Sequence, residues 1–151
     1  MERFVPENKI IGAEQIVEIY GTWPSFHDYE ITRIILDRAF PGDARGPHIT
    51  VYIHMWKYLG SSENCQINYG KHNVVGFCFS NVFEHNMSNF NIQNVIDDLE
   101  YWTFKDKDQK ELLMIVFPSL YGVDLKIKCC SIEIVSIEPG IPPFSVYGEK
   151  A

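Results

Sequence analysis

The densest chemistry in this sequence lies in Trp23-Pro24-Ser25-Phe26-His27-Asp28-Tyr29-Glu30. His27 can donate from one ring nitrogen and accept on the other, and Asp28 can accept from a backbone amide or an imidazole. With Glu30 and a histidine delivered from elsewhere by the fold, they could form a metal-dependent hydrolytic site. One His–Asp pair alone has too few ligands for most metal sites. A nucleophile–base–orienter reading of Ser25, His27 and Asp28 fails, because residues this close in sequence rarely converge in those roles. The plainer reading is a buried corner. Pro24 stops a helix and turns the chain, Trp23 and Phe26 leave water, and His27 and Asp28 satisfy backbone groups that would otherwise be unpaired. The plainer reading is preferred, and no catalytic residue, metal ligand or cofactor is assigned.

The other histidines add little. His48 and His54 fall on one face of one strand, but six residues separate them by about 20 Å. His72 and His85 could meet His27 only through the fold. The chain has no glycine-rich phosphate loop, no GxSxG elbow and no HExxH. Cys65, Cys78, Cys129 and Cys130 lack CxxC spacing. Adjacent Cys129 and Cys130 point to opposite faces of a strand, so reduced, mostly buried thiols are expected rather than a zinc site or a disulfide.

A second constellation is Asp97-Asp98-Leu99-Glu100-Tyr101-Trp102. On a strand, Asp98, Glu100 and Trp102 share one face. Acids beside an aromatic anchor suit a protein interface, the charge steering a basic partner and the ring burying area. Asp97, Asp98, Glu100 and Trp102 are therefore candidate partner-binding residues. The alternative is a solvated strand face with Trp102 folded over the sheet.

These groups need elements to hold them. Ala13, Ile16, Val17 and Tyr20 recur at helical spacing, and Gly21 is placed to end that helix. Residues 1 to 11 read as an extended arm. Strands are expected over 30–37, with a bulge breaking its alternation, and over 49–56, where the period of two is cleanest. A polar loop or wide hairpin connection covers 59–70. Further strands are expected around 75–79, 92–104, 112–117, 125–129 and 132–139, with a short strand and turns in 81–91 and turns at 105–108 and 118–122. The tail after Pro139 reads as irregular. One helix and a succession of hairpin-linked strands make an α+β domain, mostly antiparallel. A twisted sheet or two-sheet sandwich with the helix packed on it is expected, as a single domain over 1–151 with its core at about 12–139.

Composition narrows the function classes. At 151 residues, 46% hydrophobic and 22% charged, the chain can bury a core without disulfide staples. Thirteen basic against twenty acidic residues give a net charge of −7, which argues against phosphate-directed nucleic-acid binding and permits a basic protein partner. No apolar run approaches the ~18 residues of a membrane span, and Met1 to Pro6 lack a signal-peptide core. A cytoplasmic monomer or small homo-oligomer is expected.

Gly21-Thr22-Trp23-Pro24-Ser25-Phe26-His27-Asp28-Tyr29-Glu30 resembles the G-x-WPSFHDAE signature of the bacterial immunity protein 50 family. His48-Ile49-Thr50-Val51-Tyr52-Ile53-His54 resembles its L-T-V-x-I-H strand, and the segment from Phe90 to Glu100 its F-N-x-Q-N-V-L-x-D-L-E stretch. Leu120-Tyr121-Gly122 and Cys130 to Pro139 resemble its S-x-G-L and I-E-V-x-S-V-E-P stretches. The resemblance covers about residues 13 to 139, with Tyr29 standing where the signature has alanine. It implies a polymorphic-toxin immunity protein, a small cytosolic domain that binds a cognate toxin and blocks it without catalysis. His27 and Asp28 carry over as motif positions that hold the corner together. The acidity would suit a basic toxin such as a nuclease domain. A metal-dependent hydrolase using His27 and Asp28, and a general interaction module, are the alternatives.

Overall fold

The structure is a computed structural model and describes residues 1–145. Its spine is a long hairpin of β4 (His48–Ser61) and β5 (Ile67–Ser80). Ile49, Val51 and Ile53 of β4 stand opposite Phe79, Phe77 and Val75 of β5. The period of two thus delivers one continuous apolar face, and all six side chains are buried. β3 (Glu30–Asp37) pairs with β4, and β12 (Ser131–Pro139) with β5. The bulge expected in β3 falls at Thr32, between the Ile31 and Arg33 pairings. β7 (Val95–Ile96), β10 (Ser119–Tyr121) and β2 (Ile10–Ile11) complete a seven-stranded sheet ordered β10-β7-β3-β4-β5-β12-β2.

A second, five-stranded sheet packs across it, in the order β1-β8-β9-β11-β6. It comprises β1 (Glu2–Arg3), β8 (Glu100–Lys105), β9 (Glu111–Phe117), β11 (Asp124–Cys129) and β6 (Glu84–Ser88). Phe79 of one sheet and Phe117 of the other meet edge-to-face with centroids 5.9 Å apart. Every pairing is antiparallel except β12 with β2. The helix α2 (Ala13–Tyr20) buries Ala13, Ile16 and Tyr20 in the same core and ends at Gly21, whose φ of 81° is left-handed. The Tyr20 hydroxyl donates to the Lys71 carbonyl and accepts from the Asn73 amide, tying the helix to β5. The fold is a mostly β α+β sandwich.

Four expectations need correction. Residues 1 to 11 are not a plain arm: they form β1, a four-residue helix α1 (Pro6–Lys9) opened by Pro6, and β2, so the amino terminus edges both sheets. The connection at 59–70 is shorter than its glycines, serines and asparagine suggest. Tyr58 pairs with Tyr69 and Ser61 with Ile67, leaving a turn closed by Ser62 N–H to the Gln66 carbonyl. The turn at 118–122 contains β10. The strand over 92–104 is two strands, β7 and β8, separated at Asp97-Asp98-Leu99. Asn94 holds the turn before that break. Its side chain donates to the Asn91 carbonyl and accepts from the Asn91 and Val123 amides, a local alternative to ladder pairing. The expectations for the last six residues lie outside the described residues.

Candidate functional site

The corner from Trp23 to Tyr29 is built as a clasp on residues 94–99. Leu99 N–H donates to the Ser25 carbonyl, Asp28 N–H to Ile96, Ile96 N–H to Tyr29, and Ile31 N–H to Asn94. Trp23 sits between the sheets. Its ring meets Phe77 of β5 and Tyr101 of β8, and its Nε1–H donates to the Tyr101 hydroxyl at 3.0 Å. Phe26 is fully buried among Trp23, Tyr29 and Phe77. Tyr29 is buried too, its hydroxyl donating to the Trp56 carbonyl, so the larger residue crowds the corner rather than projecting from it. Burial raises the pKa of Tyr29 and Tyr101 well above the usual tyrosine range.

The clasp carries His27 and Asp28 outward. Phe26 and Asp28 both have positive φ, 71° and 68°, so the chain kinks on either side of His27. The imidazole Nδ1 lies 3.1 Å from Asp97 Oδ1 and 3.8 Å from Asp98 Oδ1, and Nε2 lies 3.5 Å from Asp28 Oδ1. The side chains of His27, Asp28 and Asp97 are about half exposed and that of Asp98 more so. This corrects the reading of His27 and Asp28 as buried groups that satisfy the backbone: the imidazole instead faces three surface carboxylates. The Ser25 hydroxyl accepts from the His27 amide, a local turn contact, and is not aligned on the ring.

The other candidates are distributed elsewhere. Asp97 and Asp98 join His27, whereas Glu100 and Trp102 lie on the outer face of the five-stranded sheet. There Arg3 pairs with Glu100 at 3.2 Å and stacks over Trp102 at 4.6 Å. Asp98, Glu100 and Trp102, expected on one strand face, therefore divide into two places, because the strand breaks after Ile96. Glu30 does not reach His27. It is buried opposite His54 in the β3–β4 ladder. His54, fully buried, stacks on His72 with Nε2 3.0 Å from His72 Nδ1. Burial, with His72 adding to it, lowers the His54 pKa to about 4. His48 Nδ1–H donates to the Gly46 carbonyl. All four cysteines are free thiols, and burial pushes Cys129 up to about 12.

His27, Asp97 and Asp98 offer ligand atoms within 4.8 Å of one another. One imidazole and two carboxylates, half open to water, fall short of the closed ligand set of a structural site. The void beneath Trp23, lined by Ile53, Phe77, Tyr101 and Ile115, measures about 10 Å³, too small for a substrate. What the corner presents is a compact negative surface held by buried Phe26 and Tyr29 and by main-chain bonds to residues 94–99.

Among the described residues, no helix is long and apolar enough to cross a membrane. No curated protein matches the chain. The family model described as Immunity protein 50 matches residues 12–140, which takes in α2, the corner, its clasp on 94–99 and both sheets except their edge strands β1 and β2. That match spans most of the sequence, and the chain belongs to the immunity protein 50 family.

Proposed function

We propose that this protein neutralises a cognate bacterial toxin by binding it, and that the acidic corner is part of the contact surface. The observation that carries this reading is the placement of Asp28, Asp97 and Asp98 around the single imidazole of His27, on a clasp anchored by buried Phe26 and partly buried Trp23. Three carboxylates against at most one positive charge leave the surface negative. A rigid negative patch accelerates encounter with a basic partner and selects against acidic ones. The net charge of −7 acts in the same direction, which suits a basic toxin domain such as a nuclease and disfavours nucleic acid itself as the ligand.

Neutralisation proceeds by occlusion rather than chemistry. His27 lacks an aligned nucleophile, and Glu30 is held elsewhere against His54. The protein acts as a single domain in the cytoplasm, where reduced cysteines are at home. Co-expression with the product of the gene adjoining its own, scored for toxicity and its relief, tests the reading. Restored growth with recovery of a one-to-one complex supports it, and unrelieved toxicity refutes it.

A further inference from the structure

Among the described residues, β3 is open along most of one side. It is laddered to β4 from Glu30 to Asp37. On its other side Glu30 pairs with Val95 and Ile31 N–H reaches the Asn94 carbonyl. Beyond that point, residues 32–37 have no second neighbouring strand among the described residues. In an antiparallel ladder alternate residues turn their N–H and C=O away from a given partner. An unpaired main-chain row about 20 Å long results.

The side chains of this row are Thr32, Arg33, Ile34, Ile35, Leu36 and Asp37, and Leu36 is 49% exposed. Open apolar edges template pairing with another chain, and proteins keep them short, charged or covered. The outer strands β1, β2 and β10 are two or three residues long, and β6 is polar apart from Met87. Only the charges of Arg33 and Asp37 guard β3. Beside its Glu30 end lies a groove of about 650 Å³, lined by Ile31 and Thr32, by Phe90 and Ile92, and by Pro142 to Phe144 of the carboxy-terminal tail. Phe90 is 49% exposed and Ile92 completely so. A second recess, of about 410 Å³, begins at Leu36 and Asp37. The open edge runs from one recess to the other.

We propose that an extended, basic segment of the toxin adds to this edge as a strand along residues 32–37. This rests on the toxin-binding reading. Main-chain pairing supplies affinity in such additions, and pockets for alternate side chains supply specificity. Apolar side chains of the segment enter the groove at Phe90 and Ile92. Its basic side chains meet Asp28, Asp97 and Asp98, which adjoin the Glu30 end because Asp28 N–H pairs with Ile96.

The test is hydrogen–deuterium exchange of the full chain, alone and with the purified product of the adjoining gene, together with the double substitution Phe90→Ser and Ile92→Ser, which removes the apolar wall without adding charge. Both side chains are exposed, so the melting temperature should not move. Expected results are exchange at least tenfold slower over residues 32–37 in the complex and binding at least tenfold weaker for the variant. Tight binding with unchanged exchange there and full affinity in the variant would overturn the strand addition while leaving the immunity reading intact. Concentration-dependent protection of residues 32–37 in the free protein would assign the edge to a second copy instead. No binding of the unmodified chain would remove both readings.

Discussion

The His27 imidazole stands 3.1 Å from the Asp97 carboxylate, across 70 residues of sequence. The contact joins two motifs that look unrelated along the chain, and it divides labour within the corner. Trp23, Phe26 and Tyr29 hold the clasp by burial, while His27, Asp28, Asp97 and Asp98 form what the solvent meets. Substitutions on the two sides should therefore behave differently.

Trp23→Ala removes a ring wedged between the sheets and the donor to the Tyr101 hydroxyl. Trp23 is partly buried, so a loss of about 3 kcal/mol is expected, the lower end of the range for large aromatic truncations in cores. His27→Ala removes only half-exposed contacts between the imidazole and surface carboxylates, so stability should change by less than about 1 kcal/mol. Urea denaturation of the two variants checks the contrast, and equal losses would contradict it.

Gly122→Ala should be costly although the residue lies in a surface turn. Its φ is +78°, and an added Cβ would stand 2.3 Å from the Gln93 carbonyl and 2.5 Å from Asn94 Oδ1. The left-handed conformation alone costs an alanine about 1–2 kcal/mol, and the clash adds to it. The melting temperature should fall, and the Asn94 hydrogen bond to Val123 should loosen with it, which amide exchange of Val123 reports.

Stability should fall as the solution is acidified. The native His54 stays neutral until about pH 4, whereas the unfolded chain takes up that proton near the ordinary value of about 6.5. Between these values the unfolded state binds more protons, so stability rises with pH. The contribution is complete above about pH 6.5 and lost by about pH 4, at most about 3 kcal/mol. Denaturation midpoints across this window, with the His54 ring followed by NMR, test the direction and the group.

The thiols should sort by burial. Cys65 is exposed and should react first with a disulfide reagent. Cys78 and Cys129 are buried, and Cys129 is held protonated by its apolar surroundings. Two thiols reacting only on unfolding is the expected outcome.

Much of the fold was legible because it is periodic. The alternation of Ile49, Val51 and Ile53, and the i, i+3, i+7 spacing of Ala13, Ile16 and Tyr20, report which face is buried. The corner was legible as a place but not as a surface. That His27 turns outward depends on positive φ at Phe26 and Asp28, non-glycine positions where nothing in the residue types announces it. The strand break at Asp97 was hidden because Asn94 closes its turn with a partner as distant as Val123. The covering of Trp102 by Arg3 is equally long-range, across β1 and β8. The family motifs converge in space: Asn94 of one touches Gly122 of another, and Asp97 faces His27 of a third. That convergence, rather than any one motif, identifies the corner.

The claim that the acidic corner engages a toxin is tested most directly by calorimetric titration of the adjoining gene's product into the unmodified protein and into an Asp97→Lys, Asp98→Lys variant. These two side chains are substantially exposed, so the variant should melt with the parent. The account predicts tight one-to-one binding by the parent and an affinity reduced at least about tenfold, or 1.4 kcal/mol, in the variant, with the difference shrinking in high salt. Equal affinities for the two proteins would contradict it.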